Sequence, residues 1–485
     1  MGTAPVFEPS ETDLGMIFAN KYFLALLPVV LILYFLSRTR ARKYNVLLVA
    51  SWAFYAWLSP WYLWVLLLLT LIDYRAAIRI EDAASERGRK RWLFVSICAN
   101  LGLLVAFKYT PFMYDNALHL GRWCGLAVTD RHWSILLPLG ISFHTFQGIS
   151  YTVDVYRRQI AAVRSFRDYA LFVAFFPQLA AGPIVRAVEF LPQMHTPPTP
   201  TAKQVAEGLH LFLIGLFKKL FIADQLDVLF VSPVFANPAA FDAAAHRWAA
   251  VAWAAQIYCD FSGYSDMAVG IAKWFGFELP RNFDLPYLAA NITDFWRRWH
   301  VSLSAWLRDY LYFPLGGSKR GPVRTYFNLM LLFVLCGLWH GATWAWLAYG
   351  VYNGLLVCLH RAFDRAATGR RFWDTVRATR PWAVFAWALT LSQLVAMLIL
   401  VRMNSWGDGW LMLKSFAAFD VWGAWSPRVP VWVPLLVALV ALGHLCGKLK
   451  LTAPPPVRAA GYVAAVFALV TLTPGVTKTF IYIQF

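Results

Sequence analysis

Residues 326–346 read YFNLMLLFVLCGLWHGATWAW, a run of 21 residues without Asp, Glu, Lys or Arg. An α-helix needs about 20 mostly apolar residues to cross the roughly 30 Å hydrocarbon core of a bilayer, so this run predicts a transmembrane helix. It contains one histidine, His340, which lies 14 residues beyond Tyr326. At about 1.5 Å per residue, that distance places the imidazole roughly 21 Å into the membrane.

The rest of the chain has the same character. Of its 485 residues, 59% are hydrophobic and 14% are charged, whereas a soluble domain has about 45–50% apolar and about 25% charged residues. This composition excludes a soluble enzyme and predicts one all-α, polytopic membrane domain over residues 1–485, with about 11–12 transmembrane helices. The predicted spans are 22–37, 45–58, 60–74, 93–108, 134–151, 205–222, 247–272, 326–347, 348–360, 382–401, 429–446 and 460–475.

The apolar segment 168–183 (DYALFVAFFPQLAAGP) is interrupted by Pro177 and ends at Gly182-Pro183. An interruption of this kind is tolerated at membrane depth only inside protein, so the segment is predicted to be re-entrant and buried among other helices.

The net charge of +18 raises the possibility of nucleic-acid binding, but the distribution of the charge excludes it. The basic residues lie in short loops between apolar runs, at 38–43, 75–91, 157–167, 297–324 and 361–380. This is the positive-inside pattern of a multispanning membrane protein, and it predicts that these loops are cytoplasmic. The C-terminal tail, 478–485, is then extracytoplasmic. The six cysteines lack CxxC spacing and predict neither a disulfide framework nor a metal site.

A second histidine, His300, lies in a segment predicted to be helical. Asn291, Thr293 and Asp294 offer capping side chains, and the following residues, FWRRWHVSLSAWLRDY, lack Pro and Gly. The pattern predicts one basic amphipathic helix over 293–313 at the cytoplasmic interface, with His300 pointing inward from the edge of its aromatic side.

His340 is the stronger functional candidate because an isolated titratable group at membrane depth usually faces a cavity. Gly337 and Gly341 flank it in a GxxxG pattern, which permits close helix packing or leaves room for a substrate. For both histidines the alternative is a hydrogen-bonded core residue. Asp260 and Asp266 are about 240° apart around a helix and form no acid pair. Asp260 is expected to pair with a neighbouring helix or with a backbone break near Gly263, with a proton relay as the alternative.

Two motifs, FWRRWHVSLSAWLRDYLYFPLGG (295–317) and CGLWHGATWAWLAYGVYNG (336–354), resemble those of the membrane-bound O-acyltransferase (MBOAT) family. The resemblance is to the branch that contains the membrane subunit of alginate O-acetylation and the D-alanyl transfer protein of teichoic acids. It continues through PLGISFHTFQGISYTVDVYR (138–157), FFPQLAAGPIVR (175–186) and residues 256–287. One departure is His144, where the family pattern has an aromatic residue.

The resemblance implies a helical body around a central tunnel, which an acyl thioester enters from the cytoplasm and an acceptor enters from outside. His340 matches the family's catalytic histidine, and His300 matches its second conserved polar position. The other candidates for the tunnel or the donor site are Asp294, Arg297, Trp299 and Trp339. The C-terminal sequence TFIYIQF resembles a terminal motif in which a tyrosine relays acyl groups, which makes Tyr482 a candidate relay. The alternative for Tyr482 is an aromatic anchor at the membrane interface.

The chemistry also follows from the residues. Acyl transfer from a thioester to a hydroxyl needs a base, and a buried imidazole stays neutral, as a general base must. The leading hypothesis is an acetyltransferase of a bacterial inner membrane, with acetyl-CoA as donor, no bound cofactor, a periplasmic acetyltransferase as partner and a polysaccharide such as alginate as final acceptor. One alternative is transfer of D-alanyl or another acyl group to teichoic acid, lipid or protein. A non-enzymatic transporter is a further alternative, for which the expected inverted repeats are lacking.

Overall fold

The computed structural model describes residues 18, 21–58, 60–128, 137–138, 140–179, 182–196, 198–418, 426–451 and 453–473. Within these ranges the chain is helical, and its one β-bridge pairs Phe283 with Trp299. The predicted tail 478–485, with Tyr482, lies outside the described residues. The principal helices are α1 (Lys21–Leu36), α2 (Arg40–Leu58), α3 (Leu63–Asp82), α4 (Glu86–Leu104), α5 (Thr110–Trp123), α6 (Ile141–Tyr156), α7 (Phe166–Ala174), α8 (Ala202–Leu216), α9 (Ala243–Trp274), α10 (Ile292–Arg298), α11 (Val301–Leu307), α12 (Pro322–His340), α13 (Trp344–Ala367), α14 (Arg371–Arg377), α15 (Arg380–Arg402), α16 (Trp406–Ala417), α17 (Trp432–Lys448) and α18 (Pro455–Thr471).

The helices have the lengths and apolarity of a membrane protein. Among the described residues, three continuous helical stretches are long and apolar enough to cross a bilayer: Glu86–Trp123, Pro322–His340 and Arg380–Arg402. Shorter apolar helices include Phe23–Leu36, Trp432–Lys448 and Pro455–Thr471. The all-α, polytopic prediction is therefore confirmed. The predicted boundary between spans at 347/348 is wrong, because α12 already ends at His340 and α13 begins at Trp344.

Close helix pairs are built on glycine. On α8 and α9, a Cβ added at Gly208 would lie 2.7 Å from the carbonyl oxygen of Gly270, and one at Gly215 would lie 2.4 Å from that of Gly263. Real Cβ atoms do not approach that closely, so only glycine permits these helices to pack at this distance. Next to this contact, Lys219 pairs with Asp260 at 2.6 Å and with Asp224 at 2.9 Å. This bears out the prediction that Asp260 pairs with a neighbouring helix.

The basic loops lie together on one face of the molecule. Arg40 pairs with Asp168 at 2.7 Å, Arg164 with Asp82 at 2.8 Å, and a guanidinium nitrogen of Arg157 lies 3.2 Å from the carbonyl oxygen of Asp309. These contacts connect loops that are far apart in sequence. They place four of the five basic loops beside one another, as the positive-inside pattern predicts for loops on one side of a membrane.

The segment 166–179 is buried, as predicted for 168–183. It is helical from Phe166 to Ala174, and its residues 168–179 are all buried. The helix ends before Phe175, whose backbone is non-helical, and a short helix follows at Phe176–Leu179. The interruption therefore comes two residues before Pro177.

The predicted single helix over 293–313 is wrong. The chain forms α10 and α11 with a break between them, and a π-helical turn, Arg308–Tyr312, follows. The two ends of the segment 293–313 approach the basic face, since Thr293 bonds His360 at 3.2 Å and Asp309 contacts Arg157. The middle of the segment lies deep in the protein beside the far end of α12. Periodicity does not reveal this break because the residues on both sides of it suit a helix.

Candidate active site

The two histidines singled out in the sequence lie together inside the protein. His340 is the last residue of α12, and His300 lies at the break between α10 and α11. Their ring centroids are 6.5 Å apart, with 53° between the ring planes. The exposed fractions are 0% for His300 and 5% for His340. His300 therefore points into the protein, as predicted, and lies beside His340.

The break at His300 has an unusual backbone. Trp299 is extended, and His300 has φ 46° and ψ 53°, in the left-handed region that non-glycine residues seldom occupy. Such a conformation costs about 1–3 kcal/mol and persists only where the surroundings enforce it. Here the Phe283–Trp299 bridge holds one side, and the Val301 N–H donates to the carbonyl oxygen of Asn282 at 2.9 Å on the other.

Asn282 also fixes the orientation of the His300 ring. Its Oδ1 lies 3.0 Å from His300 Nδ1 and 2.9 Å from Ser302 Oγ, and its Nδ2 donates to Ser265 Oγ at 3.3 Å. The backbone N–H of Ser302 also points at this Oδ1, which identifies it as the acceptor oxygen. The proton of neutral His300 is therefore on Nδ1, and the lone pair on Nε2.

His340 is surrounded by aromatic rings. Its imidazole stacks on Trp346 at 5.1 Å and meets Trp339 and Tyr349 edge-on at 4.9 and 6.0 Å. Trp339 belongs to one of the two large apolar clusters of the protein and Trp346 to the other, so His340 lies where the clusters meet.

A narrow apolar cavity adjoins this imidazole. It measures about 20 Å³ and is lined by His340 and Trp299 together with Tyr287, Leu394 and Met397. A cavity of about 10–15 Å³ holds a single water molecule, so a larger ligand enters only when the lining side chains move.

A second, wider pocket of about 500 Å³ opens on the basic face. Its lining includes Arg157, Arg186, Asp309 and Tyr310. Arg186 pairs with Asp309 at 2.8 Å. Burial raises the pKa of the Asp309 carboxyl, but hydrogen bonds and charge from Arg308 and Arg186 outweigh burial, and the net pKa lies below its usual value. The carboxylate is thus ionised and holds the guanidinium at the rim.

A row of rings connects this pocket to the histidines. From Tyr310 the centroid distances are 5.3 Å to Trp306, then 3.7 Å to Phe146, then 5.2 Å to Trp339. Trp339 in turn lies 6.1 Å from His300. The pocket and the histidines are therefore the two ends of one aromatic wall.

The structure brings four of the six described candidate residues together: His300, His340, Trp299 and Trp339. The other two lie elsewhere. Asp294 pairs with Arg298 at 2.9 Å and its backbone N–H is capped by Asn291, while Arg297 is exposed. Tyr482 lies outside the described residues. Among the residues that the structure describes, no group of three or more His, Cys, Asp or Glu side chains is arranged to hold a metal ion.

Gly337 and Gly341 of the GxxxG pattern serve close helix packing and do not leave room for a substrate. A Cβ at Gly337 would lie 2.3 Å from the carbonyl oxygen of Trp346, and one at Gly341 would lie 2.1 Å from the indole ring of the same residue. Both glycines thus let α13 and its Trp346 approach α12, and Trp346 in turn stacks on His340.

Comparison with known proteins finds one family and several relatives. The model of the MBOAT, membrane-bound O-acyltransferase, family matches residues 47–401, a range that includes both histidines. The chain is 40% identical to the probable alginate O-acetylase AlgI of Pseudomonas aeruginosa over 84% of this chain and 76% of that protein. It is 36% identical to the peptidoglycan O-acetyltransferase of Helicobacter pylori over 75% of this chain and 73% of that protein. Identity to the teichoic acid D-alanyltransferase of Bacillus subtilis is 29%, over 47% of this chain and 60% of that protein.

Proposed function

Because this chain belongs to the membrane-bound O-acyltransferase family, and is thus an O-acyltransferase, we propose that it transfers acetyl groups from a cytoplasmic thioester, acetyl-CoA, toward the hydroxyl groups of an exported or cell-envelope polysaccharide. One relative, 40% identical over most of its length, is named a probable alginate O-acetylase, and another is named a peptidoglycan O-acetyltransferase. Both names describe O-acetylation of a polysaccharide outside the cell membrane, which favours acetyl over D-alanyl as the transferred group.

One observation carries the proposal: His300 and His340, 40 residues apart in sequence, are both buried and have ring centroids 6.5 Å apart. Two imidazoles at this spacing can flank one reacting ester carbonyl. Burying polar rings among aromatic residues costs free energy. Two buried imidazoles side by side therefore point to a function.

In the proposed reaction His340 is the general base. It takes the proton of the acceptor hydroxyl as the oxygen attacks the thioester carbonyl; the carbon–sulfur bond breaks, an oxygen ester forms, and the proton passes to the departing thiolate. His300, with its ring held by Asn282, orients the thioester. The surrounding rings exclude water, which would otherwise hydrolyse the thioester.

The donor is proposed to enter through the pocket on the basic face. Its arginines suit the diphosphate of coenzyme A, and the aromatic wall from Tyr310 to Trp339 gives the uncharged arm of the donor an apolar path to the histidines. The side chains around the narrow cavity at His340 must then move apart to form the tunnel.

We place the enzyme in a bacterial inner membrane as a multi-pass protein, with its basic loops in the cytoplasm. The acceptor side is then extracytoplasmic, where a periplasmic acetyltransferase completes the transfer to the polysaccharide. No bound cofactor is part of the proposal.

The test is mass spectrometry of the cell-envelope and secreted polysaccharides from strains that carry the wild-type chain, His340→Ala, or no copy of the gene. We expect the acetyl esters of one polymer to fall by at least about 10²-fold both in the deletion strain and with His340→Ala, the loss typical of a missing general base. His195→Ala, which removes an exposed histidine, is the matched control and should retain full esterification. If every polymer keeps its acetyl esters, the proposal is wrong. If D-alanyl esters disappear instead, the transferred group is D-alanyl and not acetyl.

A further inference from the structure

A lysine and a tyrosine on another helix contact the end of α12 that carries His340. Between α4 and α5 the chain makes a π-helical turn, Val105–Tyr109. From this turn Lys108 Nζ reaches the carbonyl oxygens of Trp339 at 2.5 Å and His340 at 3.0 Å. Tyr109 Oη donates to the carbonyl oxygen of Leu338 at 2.8 Å.

These contacts provide hydrogen-bond donors for the backbone carbonyl groups at the C-terminal end of α12. The last carbonyls of an α-helix have no partner within the helix, and a cation near the C-terminus is favoured by the helix dipole. Here three consecutive carbonyls, at residues 338, 339 and 340, are bonded by two adjacent residues. Side chains of adjacent residues on a regular helix point about 100° apart. The π-turn at this point is a feature that is frequent at functional sites.

We propose that Lys108 and Tyr109 are positioning residues that hold the His340 imidazole in its catalytic place. The inference rests on the proposed function of His340 as general base. His340 is the last residue of its helix, so no further turn supports its backbone, and helix ends fray. The two side chains prevent that fraying at the residue whose ring must meet the acceptor hydroxyl.

A purely structural role is less well matched to the geometry. An ammonium group among apolar helices is costly to desolvate, and a chain that needed only packing at this position would do better with an apolar residue. The ammonium contacts the backbone of the two residues that form the wall of the site, Trp339 and His340.

The first measurement is turnover in membrane vesicles of the native host, which hold the full-length protein together with its partner and the polysaccharide acceptor, followed as thiol release from acetyl-CoA above that of vesicles from the deletion strain. A misplacement of about 1 Å costs about 10²-fold in rate. We therefore expect Lys108→Met to lower kcat by about 10- to 100-fold while KM for acetyl-CoA stays within about two-fold, and Tyr109→Phe to lower kcat by a smaller factor. Lys108→Arg, which restores the cation, should recover most of the rate. Lys90→Met removes an exposed lysine from the same helix and should have no effect.

The second measurement, hydrogen exchange of the amides at residues 337–341, does not depend on activity. Lys108→Met should speed this exchange by about ten-fold or more, and Lys90→Met should not change it. Unchanged exchange, or a kcat within two-fold of the wild type, overturns the inference. Faster exchange in Lys108→Met together with a wild-type protein that releases no thiol supports the positioning role and contradicts the proposed function.

Discussion

At the scale of single residues, Asn282 shows how one polar side chain prepares the site. Its Oδ1 receives hydrogen bonds from His300 and Ser302, and the backbone carbonyl of the same residue receives the Val301 N–H. The residue therefore fixes the tautomer of His300 and also helps to hold the left-handed backbone there. The left-handed backbone depends on the main-chain carbonyl of Asn282, and the tautomer depends on its side-chain acceptor, Oδ1.

Asn282→Leu keeps the side-chain volume and removes that acceptor. We expect a loss of about 10²-fold in acyl transfer because His300 is no longer oriented, and a loss of about 1–3 kcal/mol in the free energy of unfolding because buried donors lose their partner. Ser302→Ala is the comparison, since it leaves the Asn282–His300 bond in place and should lower activity by only a few-fold. Full activity in a folded Asn282→Leu protein would show that His300 needs no orienting partner.

The sequence revealed the two histidines but not the residue that orients one of them. His340 is conspicuous because it is the one histidine of an apolar run that has no Asp, Glu, Lys or Arg, and His300 is conspicuous because of its motif. Asn282 lies in the loop PRNFDLPY, where an asparagine is unremarkable. Its role comes from a contact across 18 residues of chain, and neither spacing nor periodicity encodes such a contact.

At the scale of helices, the pair α12 and α13 determines where His340 lies. The two helices pack through glycine on both sides: a Cβ at Gly337 would meet the carbonyl oxygen of Trp346, and one at Gly350 would lie 2.5 Å from that of Phe333. Any added volume here separates the helix that carries His340 from the helix that carries its stacking partner.

Gly350→Ala should therefore lower the free energy of unfolding by about 1–3 kcal/mol, the usual cost of overpacking, and should reduce acyl transfer as well. Gly443→Ala on α17 is the matched control, because an added Cβ there meets no atom within 4 Å; it should be neutral or stabilising by about 0.4–1 kcal/mol. Thermal unfolding in detergent measures both. Equal stabilities of the two variants would mean that α12 and α13 separate at little cost.

Helix existence could be predicted from the sequence, and helix continuity could not. Long apolar runs located α15 within about two residues at each end, because burial in lipid requires such runs. They also revealed α12 and α13, although the predicted ends of these two helices are off by up to about seven residues. The break at His300 was missed because α10 and α11 both have good helical sequences. Tertiary contacts, the Phe283–Trp299 bridge and the bonds to Asn282, impose the break on the backbone.

At the scale of the whole molecule, the fold separates two surfaces and places the histidines between them. The basic loops gather on one face through ion pairs, and the pocket of Arg157 and Arg186 opens there. Helix α12 begins at Pro322, near the end of the basic stretch 297–324, and runs inward to His340. Under the proposed function, a donor bound on the basic face and an acceptor from the opposite side would meet in the interior, as transfer across a membrane requires.

The last step outward is assigned, as a prediction, to Tyr482 in the tail 478–485. A phenol has a pKa near 10 and leaves an ester more readily than a sugar alcohol does, so an acetyl group held on Tyr482 would stay transferable. Tyr482→Phe keeps the aromatic ring and removes only the hydroxyl. We expect it to abolish acetylation of the polymer while acetyl-CoA still binds with unchanged affinity.

Tyr462→Phe, which removes the hydroxyl that bonds His210 on α8, should leave polymer acetylation intact. Mass spectrometry of the C-terminal peptide should find a 42 Da acetyl adduct (about the mass of C₂H₂O) on Tyr482 in the wild type; normal polymer acetylation in Tyr482→Phe would instead make this tyrosine an interfacial anchor.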